Sequence, residues 1–339
     1  MIISRTPYRI SFFGGGTDYP DWYLKEGGAV LTTTIDKYCY INCRYLPPFF
    51  NLKYRIVWSH IETVSTISEI LHPAVREGLR YLGFDESVGL EIHHLGDLPA
   101  RAGMGSSSAF AVGLIKALTA MQGQIISKHD LAIKAIELEQ DVLKEYVGSQ
   151  DQIAVAYGGL NLIYFLPNGE FHVEPVTLPT PLLDSLSSRL MLFYTGTTRL
   201  SSDIAKDIVS NLPSKQTILR QMRTYVDQAV NLLSTGQLDD FGRLLHESWL
   251  LKRELSKMVA NPTVDMVYKN ALDHGALGGK LLGAGSSGFM VLYVPPERQN
   301  EVRQSLFGLL EVPFQFESEG STLIYYDSDD TRRLNRHEQ

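Results

Sequence analysis

Cysteine is nearly absent from this chain of 339 residues: Cys39 and Cys43 are the only two. They fall at an even separation on one β-rich run, so no disulfide framework can be built, and no Cys/His cluster has the spacing of a zinc site. A reducing cytoplasm is therefore the expected compartment. Long apolar runs are also lacking: nothing reaches the roughly 18 residues of a membrane span, so no membrane association is expected. The opening MIISRTPYRISFF has no basic segment followed by an apolar stretch and a small-residue cleavage site, so no secretory signal is expected. Positive charge is in deficit, with a net charge of −7. That argues against a general nucleic-acid binder but leaves room for a local basic pocket. Two common phosphate-binding patterns are missing as well. There is no GxxxxGK[ST], and no GxGxxG stands inside a βαβ unit. The tripeptide Asp240-Phe241-Gly242 spells DFG, but it lies in a helical pattern with no HRDxxxxN before it, so it reads as chance. Repeats and low-complexity blocks are absent too.

What remains is a globular composition, 44% hydrophobic and 20% charged, long enough for two domains. Strands are expected at 1–13, 28–45, 53–64 and 88–95, with a short helix at 73–82. Helices follow at 106–122 and 128–147, then strands at 160–166, 171–177 and 189–195. Residues 200–275 read as mostly helical. A glycine–serine turn separates KLLGAG (280–285) from FMVLYV (289–294). A helix at 297–310 and strands near 313–317 and 321–327 close the pattern. The order argues for an α+β protein of two domains, 1–187 and 188–339.

One stretch concentrates chemistry. LPARAGMGSSSAF puts Gly103, Met104, Gly105, Ser106, Ser107 and Ser108 at the mouth of an apolar helix. Such a turn suits phosphate: glycines let backbone N–H groups approach, the helix dipole favours an anion, and the serines add hydroxyls, one of them a potential magnesium ligand. Plain helix capping by the serines is the alternative.

Two more segments, PYRISFFGGGTDY (7–19) and GGKLLGAGSSGFMVLYV (278–294), complete a set. With LPARAGMGSSSA they resemble, in order and spacing, the three motifs of the GHMP kinase superfamily. GGGTD, RAGMGSSSAF, GSQDQIAVAYGGLN and YTGTTRLSSDIAKD look most like its heptose 7-phosphate kinase branch; a galactokinase would carry GEHTDY in place of GGGTDY. The resemblance implies an N-terminal domain like the second domain of ribosomal protein S5, a ferredoxin-like C-terminal domain and an active site between them. It implies ATP and Mg2+ as cofactors and a phosphorylated sugar as acceptor, with a homodimer as a further expectation. The second motif would wrap the ATP phosphates, and Gly283 and Gly285 of the third would pack beside it.

The acids follow. Asp151 lies in VGSQDQIAVAYGG, where a helix cap is one reading; by resemblance it is the catalytic aspartate that accepts or orients the acceptor's proton. Glu139 is placed by periodicity. At about 100° per residue, Leu131, Ala135, Leu138, Val142 and Tyr146 share one face, and Glu139 falls inside that arc. A carboxylate there must be paired or hold a metal. The resemblance assigns it to magnesium, with Ser107; a buried ion pair is the alternative. Asp18, an ordinary turn residue otherwise, would by resemblance bind sugar hydroxyls together with Gly15, Gly16 and Thr17. Arg9 would neutralise charge near the acceptor or pair with Asp151. Arg199, with Thr197, Thr198 and Ser201, could hold the sugar's own phosphate, or form a surface ion pair. Trp58 could flank adenine or simply pack in the core, and His93 and His94 end a strand without an obvious role.

Overall fold

A computed structural model describes residues 1–47, 49, 52–196 and 201–327, with only the backbone of Ser201 and Ser202. Arg199, Thr197 and Thr198 lie outside the described residues, as does the side chain of Ser201.

The elements run β1 (Ile2–Phe13), α1 (Pro20–Glu26), β2 (Gly28–Tyr45), β3 (Tyr54–Val57), β4 (Ile61–Val64), α2 (Pro73–Tyr81), β5 (Leu90–Gly96), α3 (Ser106–Met121), α4 (Lys128–Ile136), α5 (Gln150–Tyr157), β6 (Asn161–Phe165), β7 (Phe171–Pro175) and α6 (Thr180–Ser187). They continue β8 (Leu190–Tyr194), α7 (Ser201–Asn211), α8 (Gln216–Ser234), α9 (Leu238–Leu255), α10 (Pro262–Asp273), β9 (Gly278–Leu281), β10 (Phe289–Tyr293), α11 (Gln299–Ser305), β11 (Leu310–Glu311), β12 (Phe316–Glu317) and β13 (Thr322–Tyr326).

The first sheet is built on β1 and β2, antiparallel from Ile2↔Cys43 to Phe13↔Leu31 with two register shifts. Those irregularities bend the long strands. β2 is long enough to serve two partners: its first half pairs with β6 and its second with β5. β3 lies parallel to β5, and β4 closes a hairpin on β3. On its other edge β1 pairs with β13 only over Ile2–Arg5. Beyond that point no strand among the described residues pairs with this edge, and at Arg9 it meets the chain entering α3, through Arg9 N–H to Met104 O at 3.2 Å. That backbone bond places the glycine–serine loop.

The second sheet has the order β11-β8-β10-β9. Helix α9 packs on it at very short range, and a Cβ on Gly242 would stand 2.4 Å from the Tyr293 ring. The glycine of the DFG tripeptide is therefore a packing residue. Phe241 beside it is buried against Phe12 and Phe13, with centroids at 5.6 and 5.2 Å, so α9 also touches β1. β12 and β13, late in the sequence, are hydrogen-bonded into the first sheet; the division at 187/188 stays a proposal about how the chain is parcelled. Among the described residues no helix is long and apolar enough to cross a membrane.

Three expected elements differ, and two helices appear that were not expected. The strand at 53–64 is a tight hairpin, turned where Trp58 N–H meets His60 O. The helix expected to run to 147 ends at Ile136 and passes into a π-helical turn, Glu137–Val142. The helix at 297–310 is confined to α11 and a preceding short turn. Helices α1 and α6 were not expected; prolines in their first turns supply the preset φ that starts them.

Candidate active site

The glycine–serine loop and the third motif are in contact. Gly103 has φ +80° and an added Cβ would fall 2.4 Å from Leu282 O, while a Cβ on Gly283 (φ +71°) would fall 2.5 Å from Gly103 Cα. Only hydrogen fits at either position. Gly105, also left-handed at φ +72°, is the N-cap of α3 and turns the chain into the helix. Ser106 Oγ accepts the Arg101 N–H at 3.0 Å. Phe289 N–H bonds to Ala102 O at 3.0 Å, tying β10 to the same loop.

Arg9 and Asp151 form a two-pronged ion pair: Nε to Oδ1 at 2.6 Å and Nη2 to Oδ2 at 2.5 Å, with Nη1 on Gly103 O at 2.7 Å. The arginine is 4% exposed and the aspartate side chain 21%. One guanidinium thus joins the first-motif strand, the loop and the first turn of α5. Asp151 is not the N-cap of α5; Ser149 is.

Asp18 is buried beside this pair. Its Oδ1 accepts from Gly16 N–H and its Oδ2 from Gln150 Nε2, both at 2.8 Å. Burial pushes its carboxyl up from the ordinary value, repulsion from Asp151 adds to that, and the Gly16 N–H works against it. Gly148 makes room, since a Cβ there would lie 1.9 Å from Asp18 Oδ2. Ser11 Oγ and Gln150 Oε1 are buried in the same wall with no hydrogen-bond partner among the described residues. Buried polar atoms are nearly always satisfied, so this wall is short of partners. Thr17, by contrast, turns away: its hydroxyl donates to Gly14 O and Ala29 O and fixes the turn.

Glu139 lies on the π-helical turn, 1% exposed. Its partners are all neutral donors: Ser107 Oγ at 2.5 Å, Ser108 Oγ at 2.7 Å and Gln152 Nε2 at 2.6 Å. Among the described residues no ion pair reaches it, so the buried ion-pair reading fails. Burial drives its pKa up to about 7, against the pull of the serine hydroxyls. A buried carboxylate held uncompensated beside a hydroxyl at the edge of an anion loop is an oxygen donor set fitted to a hard divalent cation.

Two lysines that sequence reasoning passed over complete the site. Lys252, from the last turn of α9, donates to Leu281 O at 2.9 Å and Gly283 O at 2.5 Å. Burial, then Arg9, lowers its pKa to about 7, while Asp18 and Asp151 act the other way. Lys280 on β9 donates to Phe12 O at 2.9 Å, and burial holds its pKa well below the ordinary lysine value.

These groups line one cavity of about 310 Å³. Of the expected residues, Arg9, Gly15, Gly16, Asp18, Gly103, Gly105, Ser106, Ser107, Ser108, Asp151 and Gly283 reach it. Met104 points into the core, and Thr17 and Gly285 support the loops from behind. Glu139 sits one layer deeper, behind Ser107 and Ser108. Arg199 lies outside the described residues. Trp58 is away from the cavity, donating to Glu62 and packed edge-on to His72; His93 pairs with Glu91 and His94 packs on Phe110. The wall thus joins the glycine–serine loop to the Asp18 and Asp151 carboxylates, with the buried cations Arg9, Lys252 and Lys280 beside them. That is the layout for moving a phosphoryl group between two bound molecules.

Comparison with known proteins agrees. The family descriptions "GHMP kinases N terminal domain" and "GHMP kinases C terminal" match residues 68–159 and 229–307. The chain is 29% identical over 327 residues, 90% of itself and 93% of the relative, to a D-glycero-alpha-D-manno-heptose 7-phosphate kinase of Campylobacter jejuni. It is 22% identical over 90% of its length to a galactokinase of Pyrococcus furiosus, 92% of which is covered. It is 27% identical over 88% of its length to a bifunctional fucokinase/GDP-fucose pyrophosphorylase of Arabidopsis thaliana, spanning 30% of that longer protein. Among solved structures, one titled D-glycero-D-manno-heptose 1-phosphate kinase, from Bacteroides thetaiotaomicron, superposes with a TM-score of 0.79 at 23% identity, covering 97% of this chain and all of that one. With both family descriptions matched and a curated sugar kinase matched along nearly the whole chain, the chain belongs to the GHMP kinases and is an ATP-dependent phosphotransferase.

Proposed function

We propose that this kinase phosphorylates the anomeric hydroxyl of D-glycero-D-manno-heptose 7-phosphate, giving the 1,7-bisphosphate for nucleotide-activated heptose and surface glycans, in the cytoplasm. The observation that carries the sugar assignment is the wall beside Arg9 and Asp151. Asp18 can only accept when ionised, and Ser11 Oγ and Gln150 Oε1 are buried with no hydrogen-bond partner among the described residues. A polyhydroxylated acceptor is the kind of molecule that supplies donors and acceptors to such a wall. The heptose phosphate is favoured by GGGTD and YTGTTRLSSD in the sequence and by the extent of the Campylobacter match.

In this reading Gly103–Ser108 wrap the ATP phosphates, with Gly283 closing the loop. Ser107 and Glu139 would hold Mg2+, which supplies charge neutralisation at the phosphate oxygens. Asp151 orients the acceptor hydroxyl and takes its proton, and Arg9 fixes Asp151. Both carboxylate oxygens are engaged by Arg9, which fixes where the proton acceptor stands. A second reading, a kinase for a fucose- or galactose-like sugar, is motivated by the Arabidopsis and Pyrococcus relatives. A panel of heptose 7-phosphate, the free heptose, galactose and fucose, followed by ADP release, decides between them. The heptose 7-phosphate should give the highest kcat/KM, and a preference for a free hexose or 6-deoxyhexose would overturn the assignment while leaving the kinase in place.

A further inference from the structure

Three buried cations, Arg9, Lys252 and Lys280, line the cavity, and the bonds of Lys252 leave work that neither the loops nor the acids explain. Lys252 is 7% exposed, and an ammonium carries three N–H donors. Two are taken by Leu281 O and Gly283 O. Those carbonyls belong to the strand end and loop that press against Gly103, so they fix the nitrogen relative to the anion loop. The third N–H has no hydrogen-bond acceptor among the described residues; the nitrogen also lies 5.9 Å from the centroid of the Trp249 ring, and Lys252 lines the cavity. The charged groups facing it are Arg9 and Asp18 from the first motif, Asp151 from α5 and Lys280 from β9. The nitrogen therefore stands between the loop that binds phosphate and the acids that bind the acceptor. A lysine placed only to tie α9 to the third motif would not need to face the cavity.

We infer that Lys252 is a catalytic residue whose free N–H binds the phosphoryl group during its transfer, whichever sugar accepts it. In that step the acceptor oxygen forms a bond to the γ-phosphorus, the bond from that phosphorus to the β–γ bridging oxygen breaks with its electron pair going to ADP, and the hydroxyl proton passes to Asp151. Lys252 would meet the non-bridging oxygens, whose charge is spread in the transition state. Its low pKa in the free enzyme fits a site that awaits an anion.

The test compares Lys252→Met and Lys252→Arg with the wild type, using the best acceptor of the panel. Lys252→Met should lose about 100-fold or more in kcat while the Kd for a non-hydrolysable ATP analogue stays within about threefold. Wild-type kcat/KM should fall as pH rises above about 7, because the free enzyme loses the ammonium there. Lys252→Arg, whose guanidinium keeps its proton, should regain part of the activity and lose that alkaline limb. A Lys252→Met enzyme with kcat within about threefold of wild type would overturn the inference. So would an alkaline limb unchanged in Lys252→Arg, or a wild-type profile flat from pH 7 to 9, a measurement that needs no variant to fold. If the lysine were only a tether, the melting temperature would drop and kcat measured below it would be normal.

Discussion

Replacing Asp151 with asparagine tests the centre of the site, and the structure sets the size of the effect. The two Arg9–Asp151 bonds, at 2.6 and 2.5 Å, are charge-assisted, each of a kind worth about 1.5–3 kcal/mol. Asparagine keeps one acceptor oxygen and presents an NH2 group to the other arginine N–H. The 4%-exposed guanidinium is left with half its partner and no counter-charge. Breaking a buried pair from one side typically costs about 3–5 kcal/mol. Asp151 keeps 21% exposure, so water screens part of the loss and about 3 kcal/mol is the better expectation. Asp151→Asn should therefore melt several degrees lower. Measured well below that melt, turnover should still fall about 100-fold or more, the scale for losing a positioned proton acceptor. Binding of a non-hydrolysable ATP analogue, followed by calorimetry, should be nearly unchanged, because the loop amides are untouched. An asparagine variant turning over within threefold of wild type, under conditions where it is folded, would refute the assignment of Asp151.

Other outcomes follow from the geometry of the site and, for Arg199, from the sequence. Glu139→Gln should raise the magnesium concentration needed for half-maximal activity at least tenfold, read from a magnesium titration of turnover. Because the folded pKa of Glu139 lies above its ordinary value, at about 7, its stabilising contribution is complete at low pH and is lost as pH rises through about 7. Without magnesium, Glu139→Gln should gain on the wild type from pH 5 to pH 8 in thermal melts, by at most about 3 kcal/mol; a gap that stays constant with pH would contradict this. Gly148→Ala would drive a Cβ to within 1.9 Å of Asp18 Oδ2, so acceptor KM should rise tenfold or more with ATP KM unchanged in initial-rate assays. Arg199→Ala should raise the KM of a phosphorylated acceptor roughly 10- to 100-fold, the equivalent of one charge-assisted hydrogen bond, and should leave a non-phosphorylated acceptor unaffected.

The motif loops were legible in sequence because glycine is irreplaceable where backbones touch, as at Gly103 and Gly283. Glu139 was found on the buried face, but by a helical period carried too far. The π-helical turn changes the angle per residue, and Val142 and Tyr146, expected to continue the apolar stripe, are exposed. The same helical period, laid over residues 238–255, puts Lys252 on a buried face. Phe241, Leu245, Ser248, Trp249, Lys252 and Leu255 lie on the buried face of α9, and a lysine on that stripe is as anomalous as the buried glutamate on the turn after α4. It was hidden by its neighbours Arg253 and Glu254, which make the segment look like a solvated end. The return of β13 to β1 could not be read at all, since the partners lie over 300 residues apart and nothing local encodes the pairing. Ser11 and Gln150 were missed for a related reason: an unsatisfied hydroxyl or amide is a property of its surroundings, not of its neighbours in the chain.

The most direct test of the account is the position of the transferred phosphate. The wild-type enzyme, given ATP, Mg2+ and D-glycero-D-manno-heptose 7-phosphate, should release one ADP per sugar. Phosphorus NMR should show a new phosphate coupled to the anomeric proton beside the retained 7-phosphate. A new phosphate on any other carbon, or no product from this sugar while a free hexose is consumed, would contradict it.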